Sequence, residues 1–231
     1  PDFKDSSVNI AATGQGGLGL PDTTYYTAAD KAGIRDAYVS HIAKVLELSG
    51  TPADQAKTQA ADVLKFETRI AKASKSREEF SRNVELYYNP ISTSDPDKLT
   101  PNFPWTRFFE SQGVAVPKTS SLSVPAFHQE VDRMLVDVPV EQWKSYLRFH
   151  VVDGASPYLS DAFAQQNFDF YNKTLGGQKD IEPRWKRVLG TVDGQVGQAM
   201  GQLYVQAAFP AESKAKMEAL IKNLSDALKL R

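Results

Sequence analysis

The residues of this sequence that could carry out acid–base or metal chemistry are few and scattered. The histidines are His41, His128 and His150, and there is no cysteine. A helical zinc site needs two histidines four residues apart, and no pair here has that spacing. Glu130 and Asp132 follow His128 closely, but residues two apart on a helix face different directions. We therefore expect no catalytic residue and no metal ligand in this chain, and its substrate-binding residues stay unassigned.

Composition narrows the possible functions further. No serine lies in a Gly-x-Ser-x-Gly elbow, and the absence of cysteine excludes thiolate chemistry and disulfides. Hydrophobic residues make up 41% and charged residues 24% of the chain, which is typical of a globular protein. The formal net charge of -1 comes without a basic stripe, so nucleic acid is not an expected partner.

A glycine-rich run from Gly14 to Gly19 fits the Gly-x-Gly-x-x-Gly dinucleotide pattern. In that motif the last glycine opens a helix whose amino end binds the pyrophosphate. Here Pro21 follows, and proline disfavours helical geometry at the preceding Leu20. We interpret the run as a structural turn and expect no nucleotide ligand.

Capping residues, prolines and apolar periodicity predict an all-α protein. A Thr27/Asp30 capping box opens the first helix, which ends at Gly50, and a Ser76/Glu79 box opens the third, which stops before Asn89. The other predicted helices are Thr51–Ala71, Trp105–Ser111, Pro125–Val136, Val140–Val152, Ser156–Leu175, Pro183–Phe209 and Ala211–Leu230. Thr51 is expected to cap the second helix, and Trp105, Phe108 and Phe109 are expected to pack the short helix at Trp105–Ser111 against the main body. At most short strands are expected, at Val8–Thr13 and at Val114–Val116 or Leu122–Val124.

The helix predicted at Pro183–Phe209 is apolar on nearly every side, which is typical of a buried helix. Its glycines Gly190, Gly194, Gly197 and Gly201 share one face. Because each interior glycine costs a helix about 1 kcal/mol, this stripe predicts a close crossing with another helix.

Two segments far apart carry a family resemblance. Gly16–Asp22, followed by Tyr25 and Tyr26, resembles the GLGLP-x-x-x-YY segment of neprilysin-like zinc metallopeptidases. Ala199–Phe209 resembles the family's GxLYVxAAF helix. Further matches in the same order are Leu64–Ser74, Tyr88–Pro90, Phe103–Trp105, Arg184–Lys186 and Ser213–Lys214. The sequence departs from the family pattern at Thr23, Thr24, Gln202 and Gln206.

The resemblance implies the N-terminal, lid-forming part of a peptidase that cleaves small peptides. It further implies that the zinc ligands, in His-Glu-x-x-His and Glu-x-x-x-Asp helices, follow Arg231. The full-length parent would then be a zinc enzyme and this chain alone inactive and zinc-free. Its partners would be the C-terminal catalytic region and peptide substrates, in the periplasm, outside the cell or at its surface.

The resemblance also suggests a division of the chain. Residues 1–22 would form an N-terminal segment from the catalytic-lobe side, and residues 23–231 the helical lid-forming domain. Residues Pro1 to Thr13 would then lack their natural partner, which lies in the missing half, and would be mobile or only loosely attached. The alternative function is a stand-alone helical binding or scaffold module without peptidase activity.

Overall fold

The computed structural model of the protein describes residues 1–92 and 95–230. The chain divides into two compact units, Pro1–Lys179 and Asp180–Arg231. The first unit is mainly helical with one small sheet, and the second consists of two long helices. The predicted all-α fold with short strands is therefore confirmed.

The helices follow the predicted order, with some changes in their bounds. The α-helices of the described residues are α1 Thr24–Thr27, α2 Ala32–Leu48, α3 Ala53–Ala73, α4 Arg77–Arg82, α5 Asp95–Leu99, α6 Trp105–Ser111, α7 Pro125–Asp137, α8 Val140–Ala155, α9 Asp161–Asn167, α10 Arg184–Ala208 and α11 Ala211–Lys229. Short 3-10 helices cover Ala29–Lys31, Val84–Tyr87 and Ser156–Tyr158, and a π-helix covers Phe168–Leu175.

Helices α2, α3 and α8 form the centre of the first unit. On α3 the positions of Ala56, Ala60, Val63 and Ile70 are buried, as the four- and three-residue spacing requires. Glu67 occupies the same stripe and is also fully buried. A buried carboxylate thus lies at the place where the sequence interrupts the apolar pattern of α3.

The N-terminal turns of the helices confirm one predicted capping box and contradict the other. The Ser76 capping box exists: Ser76 Oγ accepts from the Glu79 amide at 3.2 Å, and Glu79 Oε2 accepts from the Ser76 amide at 2.8 Å. The Thr27/Asp30 box is wrong, because Ala28 is extended and separates α1 from the next turn. Arg35 instead donates to the carbonyls of Tyr25 and Ala28 and so holds this break.

Two predicted helices are divided in the structure. The third helix ends early because Asn83 is extended and its side chain caps a new turn, accepting from the Glu85 amide at 3.0 Å. The helix predicted at Ser156–Leu175 breaks at Leu159 and restarts at α9. Thr51 was expected to cap α3, but Pro52 occupies the N-cap position and the Thr51 hydroxyl has no partner among the described residues.

A three-stranded sheet brings distant segments together, with strands β1 Ala11–Thr13, β2 Pro90–Ser92 and β3 Thr119–Leu122. β3 is central, parallel to β1 and antiparallel to β2. The prediction located β1 correctly but placed the strand now seen as β3 a few residues away, and it missed β2. Pro90, which has no amide hydrogen, lies on an edge strand, where proline is tolerated.

The start of the chain is attached to the first unit, in contrast to the expectation that residues 1–13 are mobile or only loosely attached. β1 pairs with β3 from Ala11 to Thr13. Tyr88 donates its hydroxyl hydrogen to Asp2 at 2.8 Å, and its ring stacks on Phe3 at 5.6 Å between centroids. Backbone pairing and an aromatic contact thus attach this segment to the first unit.

Helix α6 carries a small aromatic cluster, as predicted, but with one residue fewer. Trp105 and Phe109 are buried with Leu122, and Trp105 Nε1 donates to Thr100 Oγ1 at 2.7 Å. Phe108 was expected to join them and is instead 37% exposed.

The second unit corrects the prediction of a buried glycine-striped helix. Helix α10 forms at the predicted residues, but none of them is buried, and Leu203 is 60% exposed. A Cβ added at Gly194 or Gly201 would meet nothing within 4 Å, and one at Gly197 would meet only Asp193 of the same helix. Its apolar side chains are therefore largely exposed in this unit. No helix in the described part of the chain is long and apolar enough to span a membrane.

Candidate functional site: a glycine segment held by a buried carboxylate

The glycine segment, defined here as residues 14–22, connects β1 to α1 without opening a long helix. Gly17 has a φ angle of +83°, a conformation that glycine adopts without strain. Helix α1 has only 4 residues and begins after Pro21, so the segment lacks the phosphate-binding helix of a dinucleotide site. The segment thus has the geometry of a structural turn, and that it binds no nucleotide stays a prediction.

Glu67 of α3 is the centre of a buried hydrogen-bond network beneath this segment. Its Oε2 accepts from Tyr26 at 2.5 Å and from the Gly19 amide at 3.3 Å. Its Oε1 accepts from Tyr38 at 2.9 Å and lies 2.8 Å from His150 Nε2. All of these groups can donate, so the network matches an ionised carboxylate whose lone pairs are in use.

The tyrosines of this network are held as protonated donors. Loss of solvation raises the pKa of Tyr26 and Tyr38 well above the ordinary value, and the negative charge of Glu67 raises both further. The same two causes raise the pKa of Tyr146. Each hydroxyl therefore keeps its hydrogen for a hydrogen bond.

Close packing explains two of the glycines. A Cβ on Gly19 would lie 1.9 Å from the Tyr38 hydroxyl oxygen, and a Cβ on Gly17 would lie 2.4 Å from that of Tyr146. Tyr146 also donates to the Gly17 carbonyl at 2.8 Å. The amide of buried Leu20 donates to Tyr26 at 2.9 Å, so tyrosines from three helices fix this turn.

A second histidine–carboxylate pair joins α8 to α2. His41 Nε2 lies 2.9 Å from Asp153 Oδ1, and Tyr171 donates to Asp153 Oδ2 at 2.7 Å. The other ring nitrogen of His41 lies 3.1 Å from the Gln166 amide nitrogen, and its ring stacks on Phe170 at 4.7 Å. Both ring nitrogens are thus engaged within the core.

His128 stands apart from the other two histidines. Its Nε2 is buried without a hydrogen-bond partner among the described residues. Burial lowers the pKa of His128, and a hydrogen bond with the Ser123 backbone partly offsets that effect. Its acidic neighbours bond elsewhere, Glu130 to Arg69 and Asp132 to Asn102.

The described residues hold no cluster of the donor groups that a zinc ion takes. Across residues 1–92 and 95–230, no three His, Cys, Asp or Glu side chains come together in a metal-binding group. The two histidines that meet carboxylates, His41 and His150, do so in separate pairs. That no residue of this chain binds metal or catalyses remains a prediction.

An open groove of about 530 Å³ runs along the glycine segment. Its far wall is formed by Ser74, Lys75 and Arg77. The Gln15 amide group bridges the groove, since it donates to the Lys75 carbonyl and accepts from the Lys75 amide, both at 2.7 Å. At the other end Asp22 Oδ2 accepts from the Arg77 amide at 2.8 Å.

Sequence reasoning identified the glycine segment but not the network that holds it. The available signal was Glu67, a carboxylate inside an apolar stripe. Its partners Tyr38 and His150 lie 29 and 83 residues away along the chain. Nothing local to those residues indicates that they meet.

Comparisons with known proteins agree over the whole chain. The sequence profile of Peptidase family M13 matches residues 1–231. Endothelin-converting enzyme-like 1 of Rattus norvegicus is 28% identical over 229 residues, covering 96% of this chain and 29% of the relative. Neprilysin-3 of Drosophila melanogaster is 28% identical over 241 residues, covering 99% of this chain and 30% of the relative.

Solved structures show the same fold. The zinc metalloprotease Zmp1 of Mycobacterium tuberculosis in its open state matches with a TM-score of 0.82 and 29% identity, over 93% of this chain and 33% of Zmp1. PepO from Lactobacillus rhamnosis HN001 matches with a TM-score of 0.75 and 20% identity, over 90% of this chain and 33% of PepO, which supports the fold alone. The chain spans about 30% of the length of the two curated relatives, Endothelin-converting enzyme-like 1 and Neprilysin-3.

Proposed function

Since the chain belongs to peptidase family M13, we propose that it is the N-terminal helical portion of a zinc metalloendopeptidase that cleaves small peptides. The observation that carries this proposal is the family match over residues 1–231, in a chain that spans less than a third of the curated relatives. The resemblance at Gly16–Asp22 and Ala199–Phe209 supports the same assignment.

Zinc and the catalytic groups belong, in this proposal, to the segments of the full-length parent that follow Arg231. The described residues offer no group of three potential ligands, so no step of peptide hydrolysis is assigned to them. The contribution of this chain is structural: it forms a helical lid that restricts access to the active site.

The first unit has the properties that such a lid needs. A lid excludes large substrates only if its helices keep their relative positions. Glu67 ties α3 to α8 through His150 and to the glycine segment through Gly19. Because these groups are buried, moving one helix would leave polar atoms unpaired at a cost of about 1–3 kcal/mol each.

The exposed apolar faces of the second unit support a contact with the C-terminal catalytic region. Trp185 and Leu203 on α10 and Ile221 on α11 are all more than half exposed. Exposed apolar surface of this extent typically marks an interface. We propose that the catalytic region covers these faces in the full-length protein.

Three further assignments follow from the resemblance and remain part of the proposal. Residues 1–22 approach from the catalytic-lobe side, and residues 23–231 form the lid domain. The parent acts in the periplasm, outside the cell or at its surface. Peptides are its substrates, and neither nucleic acid nor nucleotide is a partner.

The test is to compare the full-length protein with this chain on a fluorogenic small peptide. We expect the full-length protein to hydrolyse the peptide and a chelator to abolish hydrolysis, whereas the 231-residue chain has no activity. A folded full-length protein without chelator-sensitive hydrolysis would contradict the proposal. It would favour the alternative, a helical binding or scaffold module.

A further inference from the structure

Helix α8 carries apolar side chains on two opposite faces. On one face Tyr146 and Phe149 are buried in the core of the first unit. Val140, Leu147 and Val151 are instead 66%, 54% and 71% exposed. Their spacing of seven and four residues places these three side chains on one face of the helix, opposite Phe149. We call these three residues the α8 stripe.

The other two central helices of the first unit expose a different kind of residue. The exposed positions of α2 and α3, both of which the structure describes throughout, carry polar side chains or residues no larger than alanine. They are Ala32, Gly33, Asp36, Ser40 and Lys44 on α2, and Ala53, Asp54, Gln55, Lys57, Thr58, Ala61, Lys65 and Lys72 on α3. Single exposed apolar residues are common on protein surfaces, but a helix that is apolar on opposite faces is typically buried on both. The α8 stripe therefore indicates a partner that covers it.

The size of the stripe argues against a second copy of the chain as this partner. Val140 and Val151 are eleven positions apart, so the stripe extends about 16 Å along the helix. Its three side chains offer on the order of 200 Å² of apolar surface, whereas a stable dimer buries about 800 Å² on each partner. A segment of the same polypeptide needs less area, because its tether keeps its local concentration high.

We propose that a helix from the part of the parent that follows Arg231 packs along the α8 stripe. This chain is less than a third of the length of its curated relatives, so such a parent has ample sequence to supply the helix. A helix fits because its ridge of side chains three or four residues apart packs beside the ridge of the stripe. The location of this helix after Arg231 rests on the proposed function, whereas the covering of the stripe does not. The lid is then built from two separate stretches of the sequence.

The lack of cysteine in the chain provides a direct test, because one introduced thiol is unique in it. Val151→Cys places the thiol on the stripe, and Ala61→Cys, on the exposed face of α3, is the matched control. Both variants are made in the 231-residue chain and in the full-length protein. The rate of alkylation at each introduced thiol is followed by mass spectrometry of the peptide that contains it.

We expect the thiol at position 151 to react at least about tenfold more slowly in the full-length protein than in the chain alone, because the covering helix must detach before the reagent reaches it. The thiol at position 61 should react at equal rates in both proteins. Should Val151→Cys fail to fold, Val140→Cys at the other end of the stripe provides the same measurement.

A disruptive substitution separates covering from a change in the fold. Leu147→Glu should shift the melting temperature of the 231-residue chain by less than about 2 °C, because the side chain is exposed there. In the full-length protein it should bring the alkylation rate at position 151 close to that of the chain alone, since the glutamate displaces the covering helix.

A photoreactive crosslinker on the thiol at position 151 identifies what covers it. We expect the crosslinked peptide to come from the sequence after Arg231 of the same molecule. An equal mixture of isotopically heavy and light full-length protein distinguishes the two possible sources, because only a second copy gives mixed products.

Three results would overturn the proposal. They are equal alkylation rates at position 151 in the two proteins, a crosslink to residues 1–231, and mixed heavy and light products. Hydrolysis by the full-length protein is measured separately. Hydrolysis without protection of position 151 would reject the covered stripe alone, and protection without hydrolysis would reject the peptidase assignment alone.

Discussion

The hydroxyl oxygen of Tyr26 lies 2.5 Å from Glu67 Oε2, although 41 residues separate them in the chain. The same oxygen accepts from the Leu20 amide at 2.9 Å. Tyr26 therefore links the glycine segment to a carboxylate in the centre of the helical core. The stability of the core and the path of this segment are therefore coupled, with Tyr26 as one of the links.

Replacing Glu67 with leucine should destabilise the chain by about 3 kcal/mol or more, because it leaves several buried donors without an acceptor. Glu67→Gln should destabilise the chain less, because the glutamine carbonyl oxygen still accepts hydrogen bonds from these donors. Urea unfolding at neutral pH measures both values. The control is Glu141→Leu, at an exposed position on α8, for which we expect a change below about 0.5 kcal/mol. Equal stability of Glu67→Leu and the unmodified chain would show that the network contributes nothing.

Gly19→Ala should destabilise the chain by about 1–3 kcal/mol, because the new Cβ would overlap the Tyr38 hydroxyl. Tyr38→Phe removes that oxygen, so the double variant should lose less than the sum of the two single changes. Thermal unfolding of the unmodified chain, the two single variants and the double variant gives the coupling free energy between positions 19 and 38. Gly14→Ala is the control, since nothing lies within 4 Å of its added Cβ. If the losses of stability from Gly19→Ala and Tyr38→Phe simply add, the contact between the two residues is contradicted.

His128 should make the chain less stable as the pH falls below about 6.5, the ordinary value of a histidine. Burial lowers the pKa of His128 in the folded state, so the unfolded state binds a proton first and is favoured by acid. The contribution of neutral His128 to the free energy of unfolding is fully present above about pH 6.5. It is lost as the pH falls through the pKa of His128 in the folded state.

Two measurements test this behaviour. NMR titration of the folded protein should place the midpoint of His128 below that of an unfolded reference peptide. Unfolding by urea at pH 7.5 and 5.5 should show a smaller loss of stability for His128→Gln than for the unmodified chain. A midpoint at or above the reference would contradict the burial effect.

Gly194→Ala should raise the helix content and stability of α10 in the isolated chain, by about 1 kcal/mol at this site. The reason is that an added Cβ meets nothing within 4 Å, in contrast to the close crossing that the glycine stripe predicts. Circular dichroism during thermal unfolding measures the change. A marked loss of helix would show that Gly194 packs closely against a neighbour after all.

Sequence patterns predicted those elements whose causes are local. Helix α6 was placed at its exact bounds, and the Ser76 capping box defined the start of α4. The predictions failed where distant residues decide the outcome. The strand at Thr119–Leu122 forms because it lies between two others, and Thr-Ser-Ser-Leu gives little sign of it.

Predictions for the site likewise succeeded where the cause is local and failed where distant residues decide. Pro21 was enough to distinguish a turn from a nucleotide loop, because the effect of proline on its neighbour is local. The role of Gly19 could not be predicted without knowing its contact with Tyr38, because the Tyr38 hydroxyl reaches the glycine only when α2 packs on α3. The exposure of α10 was not predictable either, since an apolar pattern does not specify which surface covers it.

The two histidine–carboxylate pairs have a consequence for how α8 can align with its neighbours. His150 on α8 faces a carboxylate on α3, whereas Asp153 on α8 faces a histidine on α2. If α8 slid by about one turn, Asp153 would come opposite Glu67 and bring two carboxylates together in a buried place, at high energy. The opposite order of histidine and carboxylate in the two pairs therefore selects a single register for the three-helix core, which apolar packing alone would specify less strictly.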